Sequence, residues 1–160
     1  MLRQIRHLER SDFRVLKQLR LAALQDSPDQ FAETASEAAE RGDEDWASLT
    51  NSAHVAEVDG EPVAMMFAFH DRSDPSVGRV GGMWVAPGHR RAGVGSALLA
   101  AARAWAAASG KRSVRLWVVP NSPGAELYRR SLFVATGARK PFPGDESRTV
   151  IELALDLTLT

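Results

Sequence analysis

Cysteine is absent from the 160-residue sequence. That absence excludes disulfide bonds, thiolate metal sites and a cysteine nucleophile. Net charge is absent too, because 20 basic residues balance 20 acidic ones. A chain without a broad positive field is a poor candidate for binding nucleic acid, so any anion site must be local.

Long apolar runs and a secretion signal are also missing. The longest apolar-rich stretch, from Ala97 to Ala108, is interrupted by Arg103. It is shorter than the roughly 20 residues that cross a bilayer. The first residues alternate charged and apolar side chains without the apolar core of a signal peptide. We therefore expect a cytoplasmic protein with no membrane partner.

Paired metal-ligand spacings do not occur either. The four histidines, His7, His54, His70 and His89, are isolated from one another and from acidic clusters, so we expect no metal site. What remains is the composition of a globular protein, with 44% hydrophobic and 25% charged residues. The length predicts a single domain over residues 1–160.

The pattern of apolar residues predicts a mixed α/β domain in the order β-α-α-β-β-β-α-β-α-β-β. Predicted strands are Leu2–Leu8, His54–Val58, Pro62–Phe69, Val77–Val85, Ser113–Val119 and Thr149–Leu157. Predicted helices run from an N-cap at Ser11 to about Ser27, over part of 36–49, over Val94–Ser109, and from Ser122 to about Ser131. Asp59-Gly60 predicts a hairpin, and Pro141, Phe142, Pro143 and Gly144 predict a loop before the last strand.

A glycine-rich loop joins the strand Val77–Val85 to the helix that begins at Val94. Gly93 and Gly95 allow the backbone to approach a ligand closely, and free N–H groups at a helix start attract anions. Arg90 and Arg91 add charge-assisted contacts to phosphate. The loop therefore predicts a pyrophosphate site, although two glycines and two arginines also occur in ordinary surface turns.

Two common phosphate motifs do not fit this loop. A P-loop requires Gly-Lys-Ser/Thr, whereas Ser96 follows Gly95 directly. A dinucleotide-binding fingerprint requires a third glycine, whereas position 98 is Leu98.

The segment Arg90-Arg91-Ala92-Gly93-Val94-Gly95 resembles the Arg/Gln-x-x-Gly-x-Gly/Ala motif of the GCN5-related N-acetyltransferase (GNAT) family. Similar features follow in order over residues 80–139: Val85-x-Pro87, Ser96-x-Leu98-Leu99, Leu116-x-Val118, Asn121, Ala125-x-Leu127-Tyr128, Phe133 and Gly137. The family usually has Gly-Phe after the tyrosine helix, and this chain has Leu132-Phe133. The resemblance implies a mostly antiparallel α+β sheet of six to seven strands with about four helices.

The resemblance also implies an acetyl-CoA-dependent N-acetyltransferase that acts on an amine. The backbone of Met83, Trp84 and Val85 would pair with the pantetheine arm, in a strand splayed from its neighbour. The N–H groups of Arg91, Ala92, Gly93, Val94, Gly95 and Ser96 would hold the pyrophosphate, and Asn121 would contact the cofactor. Tyr128 would be the general acid.

The general base remains open at the level of sequence. Many relatives use a glutamate on the fourth strand, but residues 78–85 contain no acid. Glu57 and His70 are the nearby candidates. His70 has a suitable intrinsic pKa, although a water chain or a neutral amine would need neither group.

The acceptor is suggested only by an acidic run, because the family builds one wall of the acceptor site from its first two helices. Eight acids stand against the single base Arg41: Asp26, Asp29, Glu33, Glu37, Glu40, Asp43, Glu44 and Asp45. This favours a cationic acceptor, and a solvated helix face explains the run equally well. A homodimer is a further expectation from the resemblance. The alternatives to an enzyme are an acetyl-CoA-binding sensor that lacks catalysis and an unrelated binder of another phosphate ligand.

Overall fold

The computed structural model describes residues 2–158 and contains seven strands and five α-helices within them. The strands are β1 (Arg3–His7), β2 (Ala53–Val58), β3 (Glu61–His70), β4 (Val77–Val85), β5 (Ser113–Val118), β6 (Val134–Phe142) and β7 (Asp145–Asp156). The helices are α1 (Phe13–Asp26), α2 (Ala35–Ala39), α3 (Asp43–Leu49), α4 (Val94–Ala108) and α5 (Pro123–Arg130). The predicted element order is confirmed, with one more helix than expected.

The strands form one mixed sheet in the order β1-β2-β3-β4-β5-β7-β6. The pairs β1–β2, β2–β3, β5–β7 and β6–β7 are antiparallel, and β4–β5 is parallel. The α+β fold with a mostly antiparallel sheet is thereby confirmed. The parallel pairing stops at Arg79 and Arg115, as the expectation of a splayed fourth strand requires.

Two helix boundaries differ from the prediction. Helix α1 is capped by Asp12 and not by Ser11, because residues 10–12 form a 3-10 turn. The Asp12 carboxylate accepts a hydrogen bond from the Glu9 backbone N–H at 2.9 Å. The single helix expected within 36–49 is two helices, because Gly42 has an extended conformation and serves as the N-cap of α3.

The predicted loop at Pro141–Gly144 is wrong for its first half, which belongs to β6. Every residue of β6 before Phe142 is exposed, so the strand has no apolar alternation that would reveal it. Pro141 pairs with Thr149 at the edge of the sheet. An edge position tolerates proline because one side of the strand needs no N–H donor.

One compact unit comprises residues 2–67 and 82–98. Helix α1 places Leu16, Leu19, Ala23 and Leu24 on one face at helical spacing, and all four are buried. They belong to a core that also contains Trp46, Val55 and Met65. Each fully buried aliphatic side chain contributes about 1.5–3 kcal/mol, so this core holds α1 and α3 on their strands.

The second compact unit comprises residues 68–81 and 99–158. Val114 and Leu116 of β5 are buried and stand opposite Leu155 and Leu153 of β7. Gly78 of β4 lies against α4, where a Cβ atom would stand 3.0 Å from the Trp105 ring. The expectation of one domain over the whole chain stays a prediction.

No helix among residues 2–158 is long and apolar enough to cross a membrane.

Candidate active site

The glycine-rich loop lies between β4 and α4. After Val85 the chain makes a 3-10 turn over Pro87–His89, and α4 begins at Val94. Arg91 and Gly93 have φ angles of +60° and +81°. Left-handed residues beside ordinary ones turn successive N–H groups toward one side, which creates a concave anion site.

The loop leaves its backbone donors free. Within residues 2–158, no intramolecular hydrogen bond uses the backbone N–H groups of residues 91–96. The N–H of Ala97 is the next in sequence and donates to the Gly93 carbonyl at 3.0 Å. The helix adds about half a positive charge at this end. The predicted pyrophosphate ligands therefore occur together as unpaired donors.

Arg3 of β1 forms a hydrogen bond to this loop, a contact that was not predicted from the sequence. Its Nη1 donates to the Ala92 carbonyl at 3.2 Å and lies 3.4 Å from the position of a Cβ atom on Gly93. A glycine at position 93 therefore avoids a strained φ, and a Cβ atom there would only touch the guanidinium. No motif links Arg3 to a loop 89 residues away, so no sequence signal identifies it.

Arg90 contacts protein groups through two of its nitrogens. Its Nε donates to the Val85 carbonyl at 2.8 Å, and its Nη2 donates to the Asp26 carboxylate at 2.6 Å. The same Asp26 oxygen accepts from Trp84 Nε1 at 3.0 Å. Hydrogen bonds from Trp84, Ser27 and Arg90, in that order of size, lower the pKa of Asp26 to about 2. Arg90 therefore fixes the loop to the end of α1, in addition to its predicted phosphate contact.

The predicted pantetheine strand, Met83 to Val85, follows a left-handed glycine. Gly82 has φ +61°, and a Cβ atom there would lie 2.7 Å from the Phe67 ring. Only glycine fits this position without displacement. Trp84 is buried, whereas Met83 and Val85 are half-buried. The Val85 carbonyl that was expected to pair with the cofactor carries the Arg90 hydrogen bond.

Tyr128 lies on α5, which starts as predicted. Ser122 caps the helix by accepting a hydrogen bond from the Ala125 N–H at 3.2 Å, and Pro123 occupies the first turn. Tyr128 is 7% exposed and its ring lies 5.9 Å from that of Phe133. Burial raises the pKa of the phenol above its ordinary value. The side chain therefore keeps its proton at neutral pH.

Asn121 occupies the turn before α5 and is exposed. Its φ is +62°, a left-handed value that asparagine tolerates better than most residues. This geometry alone accounts for an asparagine here, and its cofactor contact stays a prediction.

The two candidate bases lie in different compact units. Glu57 on β2 accepts a hydrogen bond from Arg6 Nε at 3.0 Å, and Arg6 also contacts Asp12. His70 is exposed at the end of β3, with its ring 5.3 Å from the Trp105 ring. Glu57 therefore forms an ion pair with Arg6, whereas His70 is accessible to solvent.

The other histidines do not gather with acids. His7 and His54 stack at 4.7 Å between ring centroids. Among the described residues, no three His, Asp or Glu side chains form a group that could hold a metal ion.

The acidic run is less negative in the structure than in the sequence. Asp26 pairs with Arg90, Glu44 with Arg10, and Glu33 with both Arg20 and Arg41. Three of its eight acids therefore face arginine partners, of which only Arg41 belongs to the run itself.

Known proteins share this architecture. A family model described as the Acetyltransferase (GNAT) family matches residues 3–132. An acetyltransferase of the GNAT family from Streptococcus pneumoniae has a TM-score of 0.81 at 21% identity, over 97% of this chain and 99% of that chain. A GCN5-related N-acetyltransferase from Kribbella flavida has a TM-score of 0.76 at 23% identity, over 97% and 98% of the two chains. None of the curated proteins compared with the chain matches it.

A third solved structure includes the cofactor. The yncA protein of Salmonella typhimurium, solved with its cofactor acetyl-CoA, has a TM-score of 0.80 at 16% identity, over 100% of this chain and 96% of that chain. These likenesses establish the fold, and the family model spans the loop and most of the elements around it. The chain therefore belongs to the GNAT family of acetyltransferases.

Proposed function

We propose that this chain is an N-acetyltransferase that moves the acetyl group of acetyl-CoA directly to a primary amine while both are bound. The observation that carries the proposal is the loop before α4, with unpaired N–H groups at residues 91–96 and left-handed Gly93. Arg3 contacts this loop, and Arg90 and Arg91 are part of it. These features fit the doubly charged pyrophosphate of acetyl-CoA.

The chemistry needs three proton movements. Acetyl-CoA supplies an acyl group activated as a thioester. The amine must first lose a proton, because a free amine with a pKa near ~10.4 is mostly protonated at neutral pH. Its lone pair then forms the C–N bond as the C–S bond breaks, the nitrogen loses a second proton to become an amide, and the sulfur accepts a proton.

The residues assigned to these steps are Tyr128, His70 and Glu57. Tyr128 donates toward the departing sulfur. His70 accepts the amine proton better than Glu57, because Glu57 is paired with Arg6. A water molecule serves the same purpose if neither side chain is needed. The acceptor is a small molecule or a peptide amine, and its cationic character stays a prediction.

The first test is a calorimetric titration of the protein with acetyl-CoA beside ATP and NAD. Selective binding of acetyl-CoA, followed by release of free thiol when an amine is added, is expected. Tighter binding of ATP or NAD would instead support an unrelated phosphate binder.

The absence of an acid in residues 78–85 favours a second candidate, a sensor that binds acetyl-CoA without using it. Thiol release separates the two. Binding without release across a broad amine panel would favour the sensor.

Gly93→Asp tests the loop directly. We expect acetyl-CoA to bind at least about tenfold more weakly, because a carboxylate beside the pyrophosphate would repel it and would offset the positive potential of the helix N-terminus. The matched control is Gly110→Asp at the other end of α4, where φ is +72° and a Cβ atom meets nothing within 4 Å. It adds the same strain and charge but should leave affinity unchanged. Equal affinity for both variants would show that the loop does not hold the phosphates.

A further inference from the structure

Two arginines and one glutamate form a part-buried cluster between α1 and α2. Arg41 contacts both oxygens of Glu33, with Nη1 to Oε1 at 3.0 Å, and Arg20 Nε reaches the same Oε1 at 3.2 Å. The exposed fractions of the side chains are 13% for Arg20, 18% for Glu33 and 30% for Arg41. Burial opposes the charge of Glu33, but the two arginines outweigh it and lower its pKa.

The cluster has a net charge of +1, because two arginines face one glutamate. Glu33 uses both oxygens on Arg41 and shares one with Arg20, so Arg20 receives only one contact from it. The Nη1 of Arg20 is buried and has no hydrogen-bond partner among residues 2–158. A buried donor without a partner costs free energy, and more so when it is charged. The cluster therefore lacks the second negative charge that would balance its two arginines.

Aromatic rings shield this guanidinium from water. The Cζ of Arg20 lies 4.9 Å from the Phe31 ring centroid and 5.9 Å from that of Phe67. Such stacking stabilises a cation and lowers the local dielectric constant, which strengthens attraction to an anion. The side chain as a whole is 13% exposed, whereas Nη1 itself is buried, so a ligand reaches Nη1 only when a neighbouring side chain moves aside.

The free donor lies beside the strand assigned to the thioester end of acetyl-CoA. Arg20 Nη1 is 3.4 Å from the position that a Cβ atom on Gly82 would occupy. Gly82 directly precedes Met83, the first residue of the proposed pantetheine strand. An anion bound by Arg20 would therefore lie beside the strand proposed to hold the pantetheine arm, in the same compact unit as that strand.

We propose that Arg20 recognises a carboxylate on the acceptor, so that the acceptor is a small amine of amino-acid size that also carries a carboxylate. This inference rests on the proposed N-acetyltransferase function. It replaces a cationic acceptor with a zwitterionic one, because the acids that suggested a cation are partly paired with arginines. A carboxylate supplies the planar pair of oxygens that a guanidinium binds best.

The test compares the twenty common amino acids with their carboxamides as acceptors, with acetyl-CoA as donor and thiol release as readout. Each pair differs only in the carboxylate. We expect at least one amino acid to react with a kcat/KM about ten- to hundredfold above that of its amide, as loss of a charge-assisted hydrogen bond predicts. Equal rates for acid and amide, or no reaction of any amino acid, would overturn the inference.

Arg20→Gln should abolish this preference by raising KM for the amino acid and leaving that for the amide unchanged. Arg14→Gln, an exposed arginine of the same helix, is the matched control. Because Arg20→Gln could unfold the helix packing, Arg41→Gln provides a second measurement. It leaves Arg20 in place but lets Glu33 neutralise it, so the acid preference should fall there too. A preference that survives in both folded variants would remove Arg20 from the role.

Failure of the wider proposal has a different signature. If acetyl-CoA does not bind in calorimetry, the N-acetyltransferase function itself fails. If acetyl-CoA binds and polyamines or amino sugars react while no amino acid does, only the carboxylate assignment fails. If succinyl-CoA is used in place of acetyl-CoA and Arg20→Gln removes that use, the carboxylate belongs to the donor and the acceptor assignment is wrong.

Discussion

At the scale of single residues, the proposed role of Tyr128 as the general acid depends on its buried phenol. Burial raises its pKa above 10, whereas a thiol titrates near ~8.5. Complete transfer of the phenolic proton to a thiolate is therefore uphill. The phenol acts best by donating a hydrogen bond as the C–S bond lengthens, while the proton released by the amine balances the reaction.

Tyr128→Phe removes this donor and keeps the ring. We expect kcat to fall roughly 10- to 100-fold, because a hydrogen bond to developing charge is lost. Acetyl-CoA affinity should stay nearly constant, since the ring still packs on Phe133. Stopped assays of thiol release give kcat, and calorimetry gives the affinity. An unchanged kcat would exclude Tyr128 as the acid, and a large loss of affinity would assign it to cofactor binding.

Single side chains also mark the limit of sequence reasoning at the loop. Motif spacing predicted a phosphate contact for Arg90, and the structure adds its hydrogen bonds to Asp26 and the Val85 carbonyl. Asp26 and Arg90 are 64 positions apart. Only the folded chain shows this pair, because a residue's type constrains its own backbone and near neighbours but not a partner on a distant element.

At the scale of elements, the exit of α5 is built without the glycine that relatives use. Leu132 has φ +73°, its N–H donates to the Arg129 carbonyl at 3.0 Å, and the Phe133 N–H donates to the Tyr128 carbonyl at 3.1 Å. This pair of bonds is a Schellman motif, which normally places glycine at the left-handed position. Leu132 is 73% exposed, so it gains little burial in return.

Leu132→Gly should therefore stabilise the protein by about 0.5–1 kcal/mol, because relief of left-handed strain exceeds the added backbone entropy. Urea unfolding at constant pH measures the change. Arg130→Gly, in the last turn of the same helix, is the control and should cost about 1 kcal/mol. A destabilising Leu132→Gly would mean that the leucine side chain makes a contact that offsets its strain.

The elements also show why some predictions were right and why the residues of strand β6 were not predicted as a strand. Asp59-Gly60 and the Ser122-Pro123 cap act through local backbone preferences, so the hairpin and α5 were readable from the sequence. Strand β6 is exposed until Phe142 and contains Pro141. Its existence depends on pairing with β7, which no local pattern encodes.

At the scale of the whole molecule, the order of elements followed from the sequence, but the charge balance of residues 26–45 did not. Counting residues gives a strongly acidic segment, whereas Arg10, Arg20 and Arg90 reach it from outside. Net charge over a segment ignores partners brought in by folding. This difference changes the predicted acceptor from a cation to an amine with its own carboxylate.

Global stability should respond to pH through His54. Burial first, and then the charge of His7, lower its pKa from 6.5 to about 4. Its Nδ1 is buried without a partner among residues 2–158. Below pH 6.5, His54 becomes protonated in the unfolded chain, whereas in the folded chain it stays neutral until about pH 4. The stabilising contribution of neutral His54 is thus complete above pH 6.5 and is lost as the pH falls toward 4.

We expect the free energy of unfolding to fall by about 1–2 kcal/mol between pH 6.5 and 4.5, allowing for solvent screening. Carboxylates with lowered pKa values begin to lose their stabilising contribution below about pH 5, so the part of the fall between pH 6.5 and 5 reports the histidine. His54→Leu should flatten the profile there, because no proton is then gained on unfolding. His70→Gln changes an exposed histidine of the other unit and should keep the slope. A slope that persists in His54→Leu would assign the pH dependence to groups other than the stacked pair.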